Sequence, residues 1–361
     1  GTLSASMSPY NPRAKQTERL GHLFLQRGKE QFEVPELVAG DIGVAAKLSD
    51  THTGDTLVAL ANGEMELPSL PFPTPTYRTA LIPASQDDVT KLSTALSRLQ
   101  EQDPTIHVER DPDTSETIMT TMGDAQVTIA CARLAKTYGV EVAAALPRVP
   151  YRETISGTTK SEYKHKKQTG GHGQYGHVVI EIEPLTRGMG FEFEEHVTGG
   201  SVPRQFIPAV EKGIHESLPD GPLAHSPIVD VKVTLLDGSA HAVDSSEMAF
   251  KMAASHALRD GLMDARPVLL EPVMKLTLHV PGDYLGDVMS DISTKRGHVH
   301  GVEGEGRFST IEADVPLAEV QRYATDIRAL THGRGRFELE FDRYVEVPEH
   351  VQAEGIGQLQ N

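Results

Sequence analysis

The sequence predicts a multidomain α+β protein: a partial β-barrel, two ferredoxin-like βαββαβ units, and a third unit between them. Three observations predict this. Pro68, Pro71, Pro73 and Pro75 form a stiff break after an opening β-rich stretch. Apolar spacing gives the order β-α-β-β-α-β over residues 77–146. The same order returns over residues 272–345, on a different sequence. The expected domains are therefore 1–66, 67–146, 147–271 and 272–346, with a polar tail at 347–361.

In the opening domain, Leu23-Phe24-Leu25 and the run 42–46 are short apolar strands bounded by glycine turns. The segment begins abruptly, as a barrel cut in half would. The first βαββαβ unit opens with a strand at 77–82. Ser85 then caps a helix carrying Val89, Leu92, Leu96 and Leu99 on one face, stopped by Asp103-Pro104. Strands follow at 106–109 and 117–121, a helix at 125–138 ended by Gly139, and a last strand at 140–146.

The middle unit has alternating strands at 177–182 and 228–236. Its helix at 206–218 carries Ile207, Val210, Ile214 and Leu218 on one stripe. A second helix over 245–262 is expected to start from Asp244 as N-cap, with Glu247 completing a capping box. The second βαββαβ unit reads as strand 273–280, helix 283–295, strands 298–302 and 307–313 across a Gly-Glu-Gly turn, helix 316–330 opened by Pro316, and strand 337–344.

Composition limits the function. The 361 residues carry a formal net charge of −17, with 38% hydrophobic and 24% charged residues. Such a surface cannot grip nucleic acid everywhere, so any such contact must sit in a local basic patch. No run approaches the roughly 18 apolar residues that cross a membrane. The first residues, Gly1-Thr2-Leu3-Ser4, show neither region of a signal peptide and no initiating Met, which reads as a cleavage scar on a truncated chain. The single cysteine, Cys131, lies in an apolar run and can form no disulfide within the chain, so a reducing compartment is expected.

The most distinctive stretch runs from 160 to 177, with four lysines against one glutamate, three histidines and four glycines. In an acidic chain, this local reversal of sign marks a basic loop whose backbone can approach phosphates. The alternative is an ordinary solvated hairpin end. The loop is no nucleotide cradle: no Gly-x-x-x-x-Gly-Lys-Ser/Thr occurs in the chain, and Gly171 to Gly176 leads into a strand. His165, His172, His177 and His241 lack the spacing of a helical metal site, so no metal is expected. A second stretch, 240–247, is a turn leading into a helix; a Ser-His-Asp triad on His241 finds no Gly-x-Ser-x-Gly elbow. A third feature is a pair of basic turns, each after a helix of the last unit: Lys295 and Arg296, and His332, Arg334 and Arg336. They serve the helix dipole, or form one shared RNA-facing edge.

These residues resemble one family. The run Gln168-Thr169-Gly170-Gly171-His172-Gly173-Gln174-Tyr175-Gly176-His177 is similar to the hallmark of domain IV of elongation factor G. So are Tyr151-Arg152-Glu153-Thr154-Ile155 and Val243-Asp244-Ser245-Ser246-Glu247, while 267–272 resembles the junction into domain V. Residues 39–42 and 53–57 resemble the end of the domain II barrel. The resemblance implies part of domain II, then domains III, IV and V, with domain IV resembling ribosomal protein S5. It implies a monomeric, cytoplasmic ribosome-binding body that needs no membrane and hydrolyses no GTP itself. GTP and Mg would belong to a G domain ahead of it. Partners would be the small-subunit decoding region, tRNA and mRNA at the domain IV tip, and the large-subunit GTPase-associated centre at domain V. Lys164, Lys166, Lys167, Gln168 to Tyr175 and His241 would form the tip loops. Two departures point to a divergent paralogue: Ala242 follows His241 where the family has Asp, and Gly123-Asp124-Ala125-Gln126-Val127 replaces Gly-Glu-Leu-His-Leu. A recycling or ribosomal-protection paralogue is one alternative. A GTP-independent RNA-binding protein is another, although neither ferredoxin-like unit shows the aromatic pattern that stacks bases.

Overall fold

The computed structural model describes residues 1–59, 65–167, 173–348 and 350–352. The chain divides into two units, residues 1–109 with 117–145, and residues 110–116 with the chain from 146 onward.

The opening segment holds β1 (Thr2–Ser4), β2 (Tyr10–Asn11), β3 (Gln16–Thr17), β4 (Leu23–Arg27), β5 (Glu30–Val34), β6 (Glu36–Val38) and β7 (Val44–Ala45). They pair as β1–β6, β2–β3 and β5–β4–β7, and do not close into a barrel among the described residues. With few apolar side chains to bury, polar ties hold this part together. Buried Glu18 accepts from the Ser49 and Asp50 amides and from Thr51 Oγ1 (3.1, 2.7 and 2.9 Å). Arg13 binds Asp55, which holds that carboxyl well below its ordinary value.

The first βαββαβ unit comprises β8 (Tyr77–Pro83), α1 (Gln86–Gln102), β9 (His107–Arg110), β10 (Thr117–Thr121), α2 (Asp124–Arg133) and β11 (Val142–Ala145). The sheet order is β11-β8-β10-β9. Ser85 caps α1 as expected, accepting from the Asp88 amide at 3.2 Å. Leu92, Leu96 and Leu99 are buried, but Val89 is 49% exposed. Asp88 turns inward instead and accepts the Glu141 amide at 3.0 Å. The single helix expected over 125–138 ends in a π-helical turn, Leu134–Tyr138, closed by left-handed Gly139 (φ 63°).

The middle unit contains β12 (Arg152–Ile155), β13 (Thr159–Lys167), β14 (Gln174–Pro184), β15 (Phe191–Glu195), α3 (Ile207–Ser217), β16 (Val231–Ser239) and α4 (Glu247–Asp264). Its sheet runs β13-β14-β16-β15, with β15 parallel to β16. The core lies between this sheet and the two helices, where Val210, Ile214, Phe250 and Leu258 meet Ile180, Ile182 and Val233. Ile207 and Leu218 flank it, so the expected stripe is present. The cap expected at Asp244 is corrected: Ser246 caps α4, accepting from the Ala249 amide at 3.2 Å. Asp244 is drawn away by a distant partner described below.

The last unit holds β17 (Pro267–Pro281), α5 (Leu285–Thr294), β18 (His298–Glu305), β19 (Phe308–Pro316), α6 (Leu317–Val320), α7 (Tyr323–Leu330) and β20 (Arg336–Glu346). Its order, β20-β17-β19-β18, repeats that of the first unit. β17 is longer than its periodicity suggested because its first residues pair with β12. The helix expected over 316–330 breaks into α6 and α7, and at the break Gln321 Nε2 donates to the Pro147 carbonyl (2.5 Å).

Candidate nucleic-acid interface

β13 and β14 form a long antiparallel hairpin whose last pairs are Lys166 with Tyr175 and Lys167 with Gln174. Alternation along β13 buries Ser161 and exposes Glu162, Lys164 and Lys166. Lys164 and Lys166 therefore share the exposed face, with Lys167 at the end, and among the described residues none of the three has a carboxylate partner. Gln168, Thr169, Gly170, Gly171 and His172 lie outside the described residues. Gln174 Oε1 meets His165 Nε2 at 3.2 Å.

The second loop, 240–245, is clasped to this hairpin by Asp244. The Asp244 carboxylate accepts the Gly173 amide at 2.9 Å, and its carbonyl accepts the Tyr175 amide at 2.8 Å. A Cβ at Gly173 would stand 3.1 Å from that carboxylate, so glycine permits the approach. Ser245 Oγ accepts the His241 amide (2.8 Å) and donates to the Tyr175 carbonyl (2.9 Å). Tyr175 Oη and His177 Nδ1 both meet Ser239 Oγ, at 2.7 and 3.0 Å. Gly176 lets α4 pack against the hairpin: a Cβ there would lie 2.6 Å from the Ala249 carbonyl oxygen.

His241 sits on the outside of this clasp with its side chain 56% exposed and Nδ1 3.2 Å from Asp244 Oδ2. The Ser245 hydroxyl is committed to backbone groups, so among the described residues it makes no nucleophile–base pair with His241. The arrangement presents one imidazole and three lysines on a braced edge, a form suited to phosphate contacts.

The two basic turns of the last unit do not make one edge, because α5 and α7 run antiparallel. Lys295, after α5, bonds Asp326 in α7 at 2.9 Å. Arg334 and His332, after α7, meet Tyr284 just before α5. The turns thus lie at opposite ends of the helix pair. Their charges also differ in use. Arg296 binds the carboxylate of Glu271 (2% exposed side chain) through Nη1 and Nη2, at 2.5 and 2.8 Å, and Glu319 through Nε at 2.8 Å. These bonds raise the Arg296 guanidinium above its ordinary value despite burial. Burial opposes the Lys295 charge, but Asp326 and Asp291 more than offset that. Arg296 and Lys295 are spent inside the fold. His332, Arg334 and Arg336 are exposed, and no carboxylate pairs with either arginine among the described residues.

Sequence reasoning missed the Asp244 clasp, because its partner is 71 positions away. It also missed Tyr284, whose signal was an aromatic residue on a glycine-flanked turn.

In sequence order, two domains of one ferredoxin-like architecture lie on either side of a unit with a basic braced tip. Family models for "Elongation Factor G, domain III", "Elongation factor G, domain IV" and "Elongation factor G C-terminus" match residues 72–145, 147–266 and 268–355, in that order. The chain belongs to the elongation factor G family. It is similar to a solved structure from Thermus thermophilus, with a TM-score of 0.80 and 38% identity over 100% of this chain and 54% of the other. The chain thus spans about half the length of that protein.

Proposed function

We propose that this chain is the ribosome-binding body of a GTP-dependent translocation factor, acting mechanically rather than by chemistry of its own. The observation that carries this is the domain IV tip, where Lys164, Lys166 and Lys167 have no carboxylate partner among the described residues and Asp244 ties the loop of exposed His241 to the strand paired with them. A braced tip transmits displacement, whereas a loose hairpin would absorb it. On this reading the tip meets RNA of the small-subunit decoding region, tRNA and mRNA, and domain V meets the large-subunit GTPase-associated centre. GTP and Mg are bound by a G domain outside these residues, and the protein works as a cytoplasmic monomer. Ala242 and Gln126, where the family pattern is broken, favour a divergent paralogue. Gln126 still serves its domain, donating to Asp103 and Thr105 at 2.8 Å each.

The test is mRNA translocation by the full-length protein with Asp244 replaced by Ala. The reading predicts slowed translocation with ribosome binding largely kept. Unchanged translocation would remove the braced tip from the mechanism. Subunit splitting or drug release without translocation, in the unaltered protein, would move it to the recycling or protection class.

A further inference from the structure

On the domain IV sheet, three side chains form a hydrogen-bonded chain that the Asp244 clasp does not use. Alternation along β14 puts Tyr175 and His177 on one face, and strand pairing sets Ser239 of β16 beside His177. Tyr175 Oη lies 2.7 Å from Ser239 Oγ, which lies 3.0 Å from His177 Nδ1. The other ring nitrogen, Nε2, faces the Glu162 carboxylate of β13 at 3.7 Å. Lys164 of β13 is the register partner of His177, Lys166 is that of Tyr175, and Asp237 lies nearby on β16. The His241 ring of the second loop stands 6.3 Å from the Tyr175 ring. The His177 side chain is only 16% exposed, so these protein groups, more than water, decide its hydrogen bonds.

Counting hydrogens fixes the direction of the chain. A serine hydroxyl has one hydrogen and donates to one partner at a time. A neutral imidazole also carries one N–H, and an ionised carboxylate only accepts, so that hydrogen belongs on Nε2, facing Glu162. Nδ1 is then an acceptor. Ser239 must donate to it, and Tyr175 must donate to Ser239. Imidazole changes charge near neutral pH, and the imidazolium carries hydrogen on both nitrogens. The added proton comes from solvent and sits on Nδ1, which then donates to Ser239. The Ser239 hydrogen turns to Tyr175 Oη, and the Tyr175 hydroxyl hydrogen loses its internal acceptor. Protonation therefore adds both a positive charge and a free donor next to Lys164 and Lys166.

We infer that Tyr175, Ser239 and His177 are a proton-set relay: protonation of the ring reverses the chain and turns the Tyr175 hydroxyl into a free donor for a phosphate oxygen of RNA. This rests on the ribosome-binding reading and adds pH control to the tip contact.

The test has two readouts on the full chain. Long-range proton–nitrogen NMR, with His177→Gln to assign the ring, shows which nitrogen carries the hydrogen. The relay requires Nε2 to carry it in the neutral ring, and a neutral ring with its hydrogen on Nδ1 would overturn the relay. Binding to isolated small subunits is then compared at about pH 5.5 and about pH 8, on either side of the imidazole transition. The unaltered chain should bind about tenfold more tightly at the lower pH. Ser239→Ala leaves the Tyr175 hydroxyl free at either pH, so it should bind tightly at both. Tyr175→Phe has no hydroxyl to offer, so it should bind weakly at both. Thermal unfolding checks the fold of each variant. A full pH response in both variants would overturn the relay, because ring charge alone would then account for it. So would an absent pH response in the unaltered chain that still binds. Loss of small-subunit binding at every pH would sink the ribosome-binding reading instead, and the NMR readout would still decide the relay.

Discussion

Arg296 and Arg334 each follow a helix of domain V, and the fold uses them in opposite ways. Arg296 reaches inward to Glu271 and Glu319, while Arg334 lies outside on the Tyr284 ring. The difference comes from what the antiparallel helix pair brings to each end. At the Arg296 end, β17 supplies a buried carboxylate that must be neutralised. At the Arg334 end, the turn before α5 supplies the half-buried Tyr284 ring, and no acid pairs with the arginine among the described residues. A basic residue after a helix is therefore available to RNA only where the packing leaves its charge unanswered.

The sharpest way to break this comparison is to remove the inner carboxylate. Glu271→Ala leaves the half-buried Arg296 with Glu319 alone and should cost about 3 kcal/mol of stability in urea unfolding. An effect within error would mean that the pair is not internal. Gly176→Ala comes next. It forces a Cβ against the Ala249 carbonyl, and overpacking of this kind costs about 1–3 kcal/mol, read as a lower unfolding midpoint. Swapping the two arginines sharpens the contrast further. Arg296→Ala should lower stability and leave RNA binding unchanged, whereas Arg334→Ala should weaken RNA binding and leave stability unchanged.

A smaller effect is expected from acid. The Asp88 carboxyl is held below its ordinary value of 3.8 by the Ser85 hydroxyl and then by the Glu141 amide. Its folded form therefore binds a proton less readily than the unfolded chain. The stability it contributes is present above about pH 4 and is lost as pH falls through the lowered value. Asp88→Asn should flatten that acid limb of the stability–pH curve, and an unchanged limb would assign it to other carboxylates.

Much of the fold was legible because its signals are local. Leu92, Leu96 and Leu99 announced α1, Ser85 announced its start, and Gly139 announced the end of the second helix. Both βαββαβ orders followed from such runs. What was not legible depended on partners distant in sequence. Asp244 reads as a helix cap until Gly173 claims its carboxylate, leaving the cap to Ser246. Val89 reads as core until Asp88 turns inward to the Glu141 amide. The basic turns read as one edge until the antiparallel helices place them apart. At the tip, the lysines were visible in sequence, but the brace that gives them a fixed edge was not.

The central claim is that the braced domain IV tip is a ribosome contact made by unanswered charge. Its most direct test is binding of the full chain to isolated small subunits at several salt concentrations, with Lys164, Lys166 and Lys167 all exchanged for glutamate. The account predicts salt-sensitive binding by the unaltered chain and at least a tenfold loss in the variant, with a shallower salt slope. Equal affinity and an equal slope for both proteins would contradict it.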